Sequence, residues 1–267
     1  MKKKILLLYL ILVTFSLVSC QTKHNEMTRI VFLHHSTGQS IWYGNVNRYI
    51  RKLTDRSDVR SYFKEYNRKN NTNYFITKQW FPGGAAYKGT NNPYDYYNIW
   101  VKNQGDEPFL GNPTLEILTK EFDIIVFKHC YPVSSILEDI GQPDLDSDEK
   151  RIENYKLHYE ALKSKMHEFP ENKFIVWTPA VHVGNNITPE QAQRTHDFYQ
   201  WVINEWDEKG DNIYIWDFYK YETNGGLYMR QEYASGANDS HPNKQFAGEV
   251  APKFAKFIID VAQGIIE

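Results

Sequence analysis

The sequence predicts an α/β fold in which a parallel sheet of about five strands lies between layers of helices. Five short apolar runs rich in β-branched and aromatic residues are typical of strands that are buried on both faces. They are residues 29–33, 74–80, 122–127, 173–178 and 212–218. Stretches long enough to be crossover helices separate these runs, and strands that alternate with helices predict a parallel sheet.

Residues 1–19 predict an export signal ahead of the first strand. MKKK supplies a positive start, and the apolar run that follows is too short to span a bilayer comfortably. Its end, Leu17-Val18-Ser19-Cys20, resembles the bacterial lipoprotein box, which implies that Cys20 is acylated and becomes the first mature residue. An ordinary cleaved signal beside a chance cysteine is the alternative.

The domain organisation follows from this reading. We expect residues 1–19 to be a lipoprotein signal peptide, residues 20–28 a polar tether and residues 29–267 a single domain. The lipid on Cys20 would hold the exported protein on the bacterial cell envelope, periplasmic or surface-facing.

Helices are expected at residues 45–52, 148–169, 189–207 and 243–266. In the second, apolar residues recur at steps of three and four from Ile152 to Met166, so one stripe faces the sheet. The third is expected to begin with Thr188 as its cap and Pro189 in the first helical position.

Residues 83–121 do not fit a crossover helix, because glycine, asparagine and proline punctuate them. We expect an irregular excursion over the carboxyl ends of the strands, where the ligands of parallel sheets bind. A packed surface loop is the alternative.

Composition and charge exclude several classes of protein. With 41% hydrophobic and 24% charged residues, the chain is typical of a globular domain and not of a disordered one. The net charge of -2, with scattered lysines and arginines, provides no basic surface for nucleic acid. If Cys20 is acylated, Cys130 is a lone cysteine, which excludes an internal disulfide and a cysteine zinc cluster. We expect no metal and no cofactor.

Two polar segments fall where catalytic side chains are expected. Ser36 follows the first strand, where a parallel sheet would present a nucleophile, and Gly38 permits a sharp turn. His241 precedes a proline and stands close to a carboxylate, just ahead of the final helix, which suits a general base. Taken alone, such a serine is more often a helix cap, and such a histidine is usually a surface residue.

Together these segments resemble the sequence blocks of the SGNH (GDSL-type) hydrolase superfamily. The blocks are HHSTG after the first strand, PGG after the second, a polar turn after the third and DSHPN before the last helix. They occur in the right order and span nearly the whole mature chain. The resemblance implies a flavodoxin-like three-layer α/β/α sandwich and an esterase or deacylase activity. It makes Ser36 the nucleophile, His241 the base, and the backbone N–H groups of Ser36 and Gly84 the oxyanion donors.

The acid of the triad is less well defined, because the family's usual acidic position, three residues before the histidine, holds Asn238. If the segment is extended, Asp239 shares a side with His241 and can reach its ring. We therefore predict Asp239 as the acid, with Asn238 as the second candidate and Asp217 as the third.

Two further blocks depart from the family pattern. No asparagine is available as an oxyanion donor after the third strand, where Cys130, Ser134 and Ser135 stand instead. The usual Gly-Asp before the nucleophile is replaced by His34 and His35. We expect one of these histidines to pack inward and the other to shape or polarise the floor of the site.

A serine hydrolase that cleaves an acyl ester is the predicted function, with acetyl groups on carbohydrate as a candidate substrate. A non-catalytic glycan-binding lipoprotein is the main alternative, since 15% of the residues are aromatic. The aromatic residues expected near the mouth are Trp42, Trp80, Tyr87, Tyr94, Tyr96, Tyr97 and Trp100. A metal-dependent hydrolase is a lesser alternative, because adjacent strand residues point to opposite faces and no HExxH pattern occurs. Its candidate ligands are His34, His35, His129, His182 and His241.

Overall fold

The structure is a computed structural model that describes residues 26–266. The predicted signal peptide, the lipidation site Cys20 and most of the tether lie outside the described residues. No helix within the described range combines the length and the apolar character needed to cross a bilayer.

Five parallel strands form one sheet in the order β2-β1-β3-β4-β5. The strands are β1 (Thr28–His34), β2 (Tyr74–Trp80), β3 (Ile124–Phe127), β4 (Lys173–Trp177) and β5 (Ile213–Trp216). The predicted α/β sandwich with a five-stranded parallel sheet is confirmed. This strand order is the flavodoxin-like one, in which the ligand crevice opens beside the carboxyl ends of β1 and β3.

Helices cover both faces of the sheet and complete three layers. They are α1 (Ser36–Tyr43), α2 (Arg48–Thr54), α3 (Asp58–Asn70), α4 (Pro93–Tyr97), α5 (Leu115–Glu121), α6 (Ile152–His167), α7 (Pro189–Trp201), α8 (Phe218–Thr223) and α9 (Lys244–Ala262). On one face, α9 packs against α1 and α3; on the other, α4 packs against α6. Alternate residues of β1 pack into the two cores, with Phe32 on the α9 side and Leu33 on the α6 side.

The expectation that every strand is buried on both faces is wrong for β2 and β5. The strand order places these two at the edges, and of the residues of β2 only Ile76 is buried. Central strands β1 and β3 do have the continuous burial that their sequences predict.

Capping residues account for several helix boundaries. The Thr188 side chain accepts a hydrogen bond from the Gln191 amide, and Pro189 occupies the first turn, as predicted. Asn243 accepts from the Phe246 amide, so the final helix begins one residue after the expected start. The apolar pattern misses α3, whose cap is Ser57.

Residues 83–121 are more regular than expected. They contain α4, a π-helical turn at Asn98–Lys102 and α5. Tyr96 and Trp100 are fully buried in the core on the α6 side, and Trp42 of α1 is buried in the core on the opposite face. The expectation that these three aromatic side chains lie near the mouth of a site is therefore wrong, because their area is needed to fill the two cores.

Candidate active site

The turn after β1 places Ser36 at the carboxyl edge of the sheet. His34 ends the strand, His35 keeps an extended backbone, and Ser36 is the first residue of α1. Gly38 lies inside that helix, so the predicted role in a sharp turn is wrong. A Cβ there would lie 2.6 Å from His34 Cβ and 2.9 Å from Lys128 Cδ, so a glycine is required for close packing.

A hydrogen-bonded chain of three side chains runs across the end of the sheet. His241 Nε2 lies 2.7 Å from Ser36 Oγ, and His241 Nδ1 lies 2.6 Å from Asp239 Oδ1. Because the carboxylate only accepts, Nδ1 carries the proton and Nε2 is free to accept from the serine hydroxyl. The structure thus brings together three side chains, two of which are 205 residues apart in sequence.

Asp239 reaches the imidazole because its segment is extended. Asp239 and His241 belong to β7 (Asp239–Pro242), which pairs with β6 (Ala234–Gly236) in a short antiparallel hairpin. Residues two apart on a strand share a side, while Ser240 between them points inward and accepts a hydrogen bond from the Val183 amide. The sequence contained no signal for this anchoring contact of Ser240.

The other two candidate acids are engaged elsewhere. Asp217 caps α8 and accepts a hydrogen bond from the Tyr199 hydroxyl. Asn238 offers its backbone carbonyl to the Asn186 side chain. Partial burial opposes ionisation of Asp239, but hydrogen bonds from the His241 amide and ring outweigh it and lower the pKa of that carboxyl.

The triad-like chain is open to solvent. The side chain of His241 is 30% exposed and that of Asp239 is 50% exposed. Tyr131 packs edge-on against the His241 ring, with the ring centroids 5.0 Å apart. A large substrate could therefore reach Ser36 without a channel.

His34 and His35 have different environments. His34 is buried, and its Nδ1 donates to the His35 carbonyl oxygen. Burial is the main cause that lowers the pKa of His34 to about 3. His35 is half-buried and donates from Nε2 to the Pro82 carbonyl oxygen at 2.8 Å, while burial lowers its pKa to about 4. Both rings are thus neutral at pH 7, and His35 joins the serine turn to the turn after β2.

That second turn presents Gly84. The Gly83 amide is occupied, since it donates to Asn112 Oδ1 at 2.7 Å. The Gly84 amide makes no hydrogen bond to any residue in 26–266, and its φ of +87° suits glycine. Asn112 was not among the predicted site residues, because only the fold brings it to this turn. The role of Gly84 as an oxyanion donor stays a prediction.

An exposed tryptophan borders the nucleophile. Trp80 ends β2, is 47% exposed and stacks on the His35 ring, with the ring centroids 4.4 Å apart and the planes 20° apart. The stack and the hydrogen bond from His35 to Pro82 together hold the indole in place. Trp80 is therefore an aromatic surface held against His35, the residue before Ser36.

Of the three residues considered after β3, only Cys130 lies near the nucleophile. Cys130 Sγ is 3.8 Å from Ser36 Oγ. Ser134 donates instead to the Ala180 carbonyl oxygen, and Ser135 Oγ contacts His182 Nε2. The turn after β3 thus supplies a thiol at the site.

The histidines proposed as metal ligands are dispersed. His129 packs between the rings of Tyr96 and Tyr159, and His182 contacts Ser135. Within residues 26–266, no group of three or more His, Cys, Asp and Glu side chains is arranged to hold a metal ion.

Comparison with solved structures gives distant likenesses. No protein-family model and no curated protein matches the chain. A solved structure of a carbohydrate esterase, whose active site displays divergent catalytic and non-catalytic binding functions, is similar to it with 12% sequence identity and a TM-score of 0.39. The similarity covers 87% of this chain and 68% of that one. The case for a function therefore depends on the geometry of the site.

Proposed function

We propose that this protein is a serine hydrolase that cleaves acyl esters, in a divergent branch of the SGNH-type superfamily. The observation that supports this proposal is the continuous chain from Ser36 Oγ through His241 to Asp239, with both contacts at 2.6–2.7 Å. Such a chain activates a hydroxyl that is otherwise a weak nucleophile.

In the proposed mechanism, Ser36 Oγ attacks the ester carbonyl carbon while His241 Nε2 takes the hydroxyl proton. Asp239 holds the ring by Nδ1 and stabilises the imidazolium that forms. His241 then returns the proton to the departing alkoxide, which leaves an acyl group on Ser36. A water molecule, deprotonated by His241, releases the acid and restores the serine.

The negative oxygen of the tetrahedral intermediate needs donors that are already in position. The Ser36 amide belongs to the first turn of α1, whose N–H groups have no acceptor within the helix. The Gly84 amide is the second proposed donor. The positive end of the α1 dipole also favours a negative charge near Ser36.

A fluorophosphonate probe tests the proposal directly. We expect it to label the wild-type protein on Ser36, identified by mass spectrometry of the modified peptide, because the probe reacts with serines that a base has activated. Labelling should be at least about 100-fold slower in His241→Ala. Ser40→Ala, one helical turn away, is the matched control and should be labelled at the wild-type rate. A probe attached elsewhere, or equal labelling of His241→Ala, would refute the mechanism.

We propose ester groups on carbohydrate as the substrate. Support comes from the exposed Trp80 ring, which stacks on the neighbour of Ser36, and from the open approach to His241, which suits a long or branched molecule. Aromatic faces provide large apolar contact area at little cost in side-chain entropy. A non-catalytic glycan-binding protein would use the same ring, and it remains the second candidate function.

Trp80→Ala is expected to raise KM for an O-acetylated oligosaccharide about tenfold, the loss of roughly 1.4 kcal/mol of stacking. The effect on p-nitrophenyl acetate, which has no sugar to stack, should be several-fold smaller. Phe75→Ala is the matched control, because Phe75 is equally exposed on the same strand but lies near its other end. An equal rise in KM for both substrates would argue against a sugar that stacks on Trp80. Oligosaccharide binding without any hydrolysis would favour the binding function.

Export and attachment to the cell envelope through Cys20 are part of the proposal, supported by Leu17-Val18-Ser19-Cys20. Radiolabelled palmitate should enter the wild-type protein in bacterial cells and not Cys20→Ser. Label that persists in Cys20→Ser would exclude this anchor.

A further inference from the structure

Beneath Ser36 lies a buried lysine that the proposed mechanism does not use. Lys128 follows β3, is completely buried and donates from Nζ to Cys130 Sγ at 3.3 Å. Its Nζ also lies 6.0 Å from the centroid of the Trp177 ring. A lysine so placed is costly, because a buried ammonium loses its hydration and must be compensated by partners.

Close packing keeps this side chain under α1. Gly38 has no Cβ, and one built there would lie 2.9 Å from Lys128 Cδ. The missing side chain of Gly38 thus leaves the space through which the Lys128 stem passes to reach the sulfur. The lysine is part of the packed arrangement around the nucleophile.

Cys130 connects this lysine to the reacting atom. Its Sγ contacts Lys128 Nζ on one side and lies 3.8 Å from Ser36 Oγ on the other. In a tetrahedral intermediate the negative oxygen is two bonds from Ser36 Oγ. A group 3.8 Å from Oγ is within hydrogen-bond range of that oxygen when the oxygen lies on the side of the sulfur. Ser134 and Ser135, the other donors of this turn, face Ala180 and His182.

We propose that the neutral Cys130 thiol donates its S–H to the oxyanion, in the place of a side-chain amide, and that Lys128 polarises the sulfur. The inference rests on the proposed hydrolase function and deepens it. Cys130 is then a catalytic residue that touches the reacting oxygen. Lys128 is a positioning residue that acts through the sulfur and adds a positive charge behind it, although burial lowers the pKa of this ammonium. A thiol alone is a weak donor, and the adjacent ammonium strengthens it.

The role of Cys130 depends on its proton. Burial opposes ionisation, but the Lys128 ammonium and the Thr37 amide outweigh burial and lower the pKa of the thiol. A thiolate accepts instead of donating, and its negative charge repels the oxyanion. The catalytic rate should therefore fall as pH rises through the Cys130 pKa, starting below the range of an ordinary cysteine.

Other ionisable groups around the sulfur influence the same equilibrium. Glu222 of α8 is completely buried, and burial raises its pKa well above the usual range, which favours the neutral acid. The hydroxyls of Tyr96 from α4 and of the adjacent Tyr131 also face Cys130, and burial raises the pKa of both. His241 approaches from β7 through Ser36. Lys128 is thus the cation that stabilises a thiolate here.

The test is the pH dependence of kcat/KM for p-nitrophenyl acetate between pH 5 and 10. Wild type should show a fall in kcat/KM on the alkaline side. Cys130→Ser, whose hydroxyl donates but does not titrate in this range, should lose the alkaline fall. Cys130→Ala should lower kcat/KM about tenfold at pH 7, a smaller loss than the removal of a strong oxyanion donor causes. The alkaline fall should also disappear in this variant. Ser135→Ala, in the same turn, is the control and should keep the wild-type profile.

Lys128→Met tests the effect of the lysine separately from that of the thiol. It removes the charge at similar volume, so the alkaline fall should persist but move up by about one pH unit or more. As a measurement that needs no substitution, NMR of protein labelled with ¹³Cβ-cysteine should give a Cys130 titration midpoint equal to that of the alkaline fall.

An alkaline fall that is unchanged in Cys130→Ser, or an NMR midpoint that differs from the kinetic one, would overturn the inference. So would full activity of Cys130→Ala at pH 7. Failure of the hydrolase proposal itself looks different, because either the wild type would not hydrolyse the ester or hydrolysis would persist in Ser36→Ala.

Discussion

Ser36→Ala and His241→Ala are each expected to lower kcat/KM for p-nitrophenyl acetate by roughly 10⁴-fold or more. The serine supplies the attacking atom and the histidine takes its proton, so removal of either ends the same reaction path. Hydrolysis of the ester at constant pH, corrected for the rate without enzyme, provides the measurement. Both variants must retain the wild-type circular dichroism spectrum.

The two substitutions should not be additive, because the side chains act as one unit. The double variant is expected to be no slower than either single one, within about threefold. Ser40→Ala, on α1 but with its hydroxyl on the Ser36 carbonyl, is the matched control for loss of a serine hydroxyl and should stay near wild type. Hydrolysis that survives in folded Ser36→Ala would end the serine-hydrolase proposal.

Asp239→Asn is expected to have the second largest effect, a loss of about 100-fold in kcat. An amide of the same shape can keep contact with His241 Nδ1 but has no charge to stabilise the imidazolium. A fully buried aspartate in this role is worth about 10⁴-fold. We expect less here because the Asp239 side chain is 50% exposed, and water screens its charge.

Asn238→Ala is the matched control for this prediction. Asn238 is the neighbouring residue and holds the position where the family's acid usually stands, yet it contacts Asn186 through its backbone carbonyl. The activity of Asn238→Ala should lie within about twofold of wild type. If Asn238→Ala were the more damaging change and Asp239→Asn nearly neutral, the assignment of the acid would have to be reversed.

The conformation of one short segment determines which candidate acid contacts the His241 ring. From sequence, Asp239 and Asn238 differed only in whether residues 238–241 are extended or helical. The pairing of β6 with β7 makes the segment extended, and the buried Ser240 hydroxyl holds it against the Val183 amide. The hairpin is local, but the Ser240 contact joins residues 57 apart in the chain, so local propensity could not reveal it.

The sequence by itself determined the alternation of strands and helices, and with it the sandwich and its parallel sheet. It also marked Ser36 and His241 as candidates, because a strand end and the start of a helix have local signals. Hydrophobic runs, caps and prolines act over a few residues and can be read directly.

Only the tertiary structure decided which side chains meet. It placed β2 at an edge, buried Trp42, Tyr96 and Trp100 in the cores, and left Trp80 exposed beside Ser36. It also set Lys128, at the end of a buried strand, against Cys130. These contacts depend on strand order and long-range packing. Neither composition nor the spacing of residues in the sequence encodes them locally.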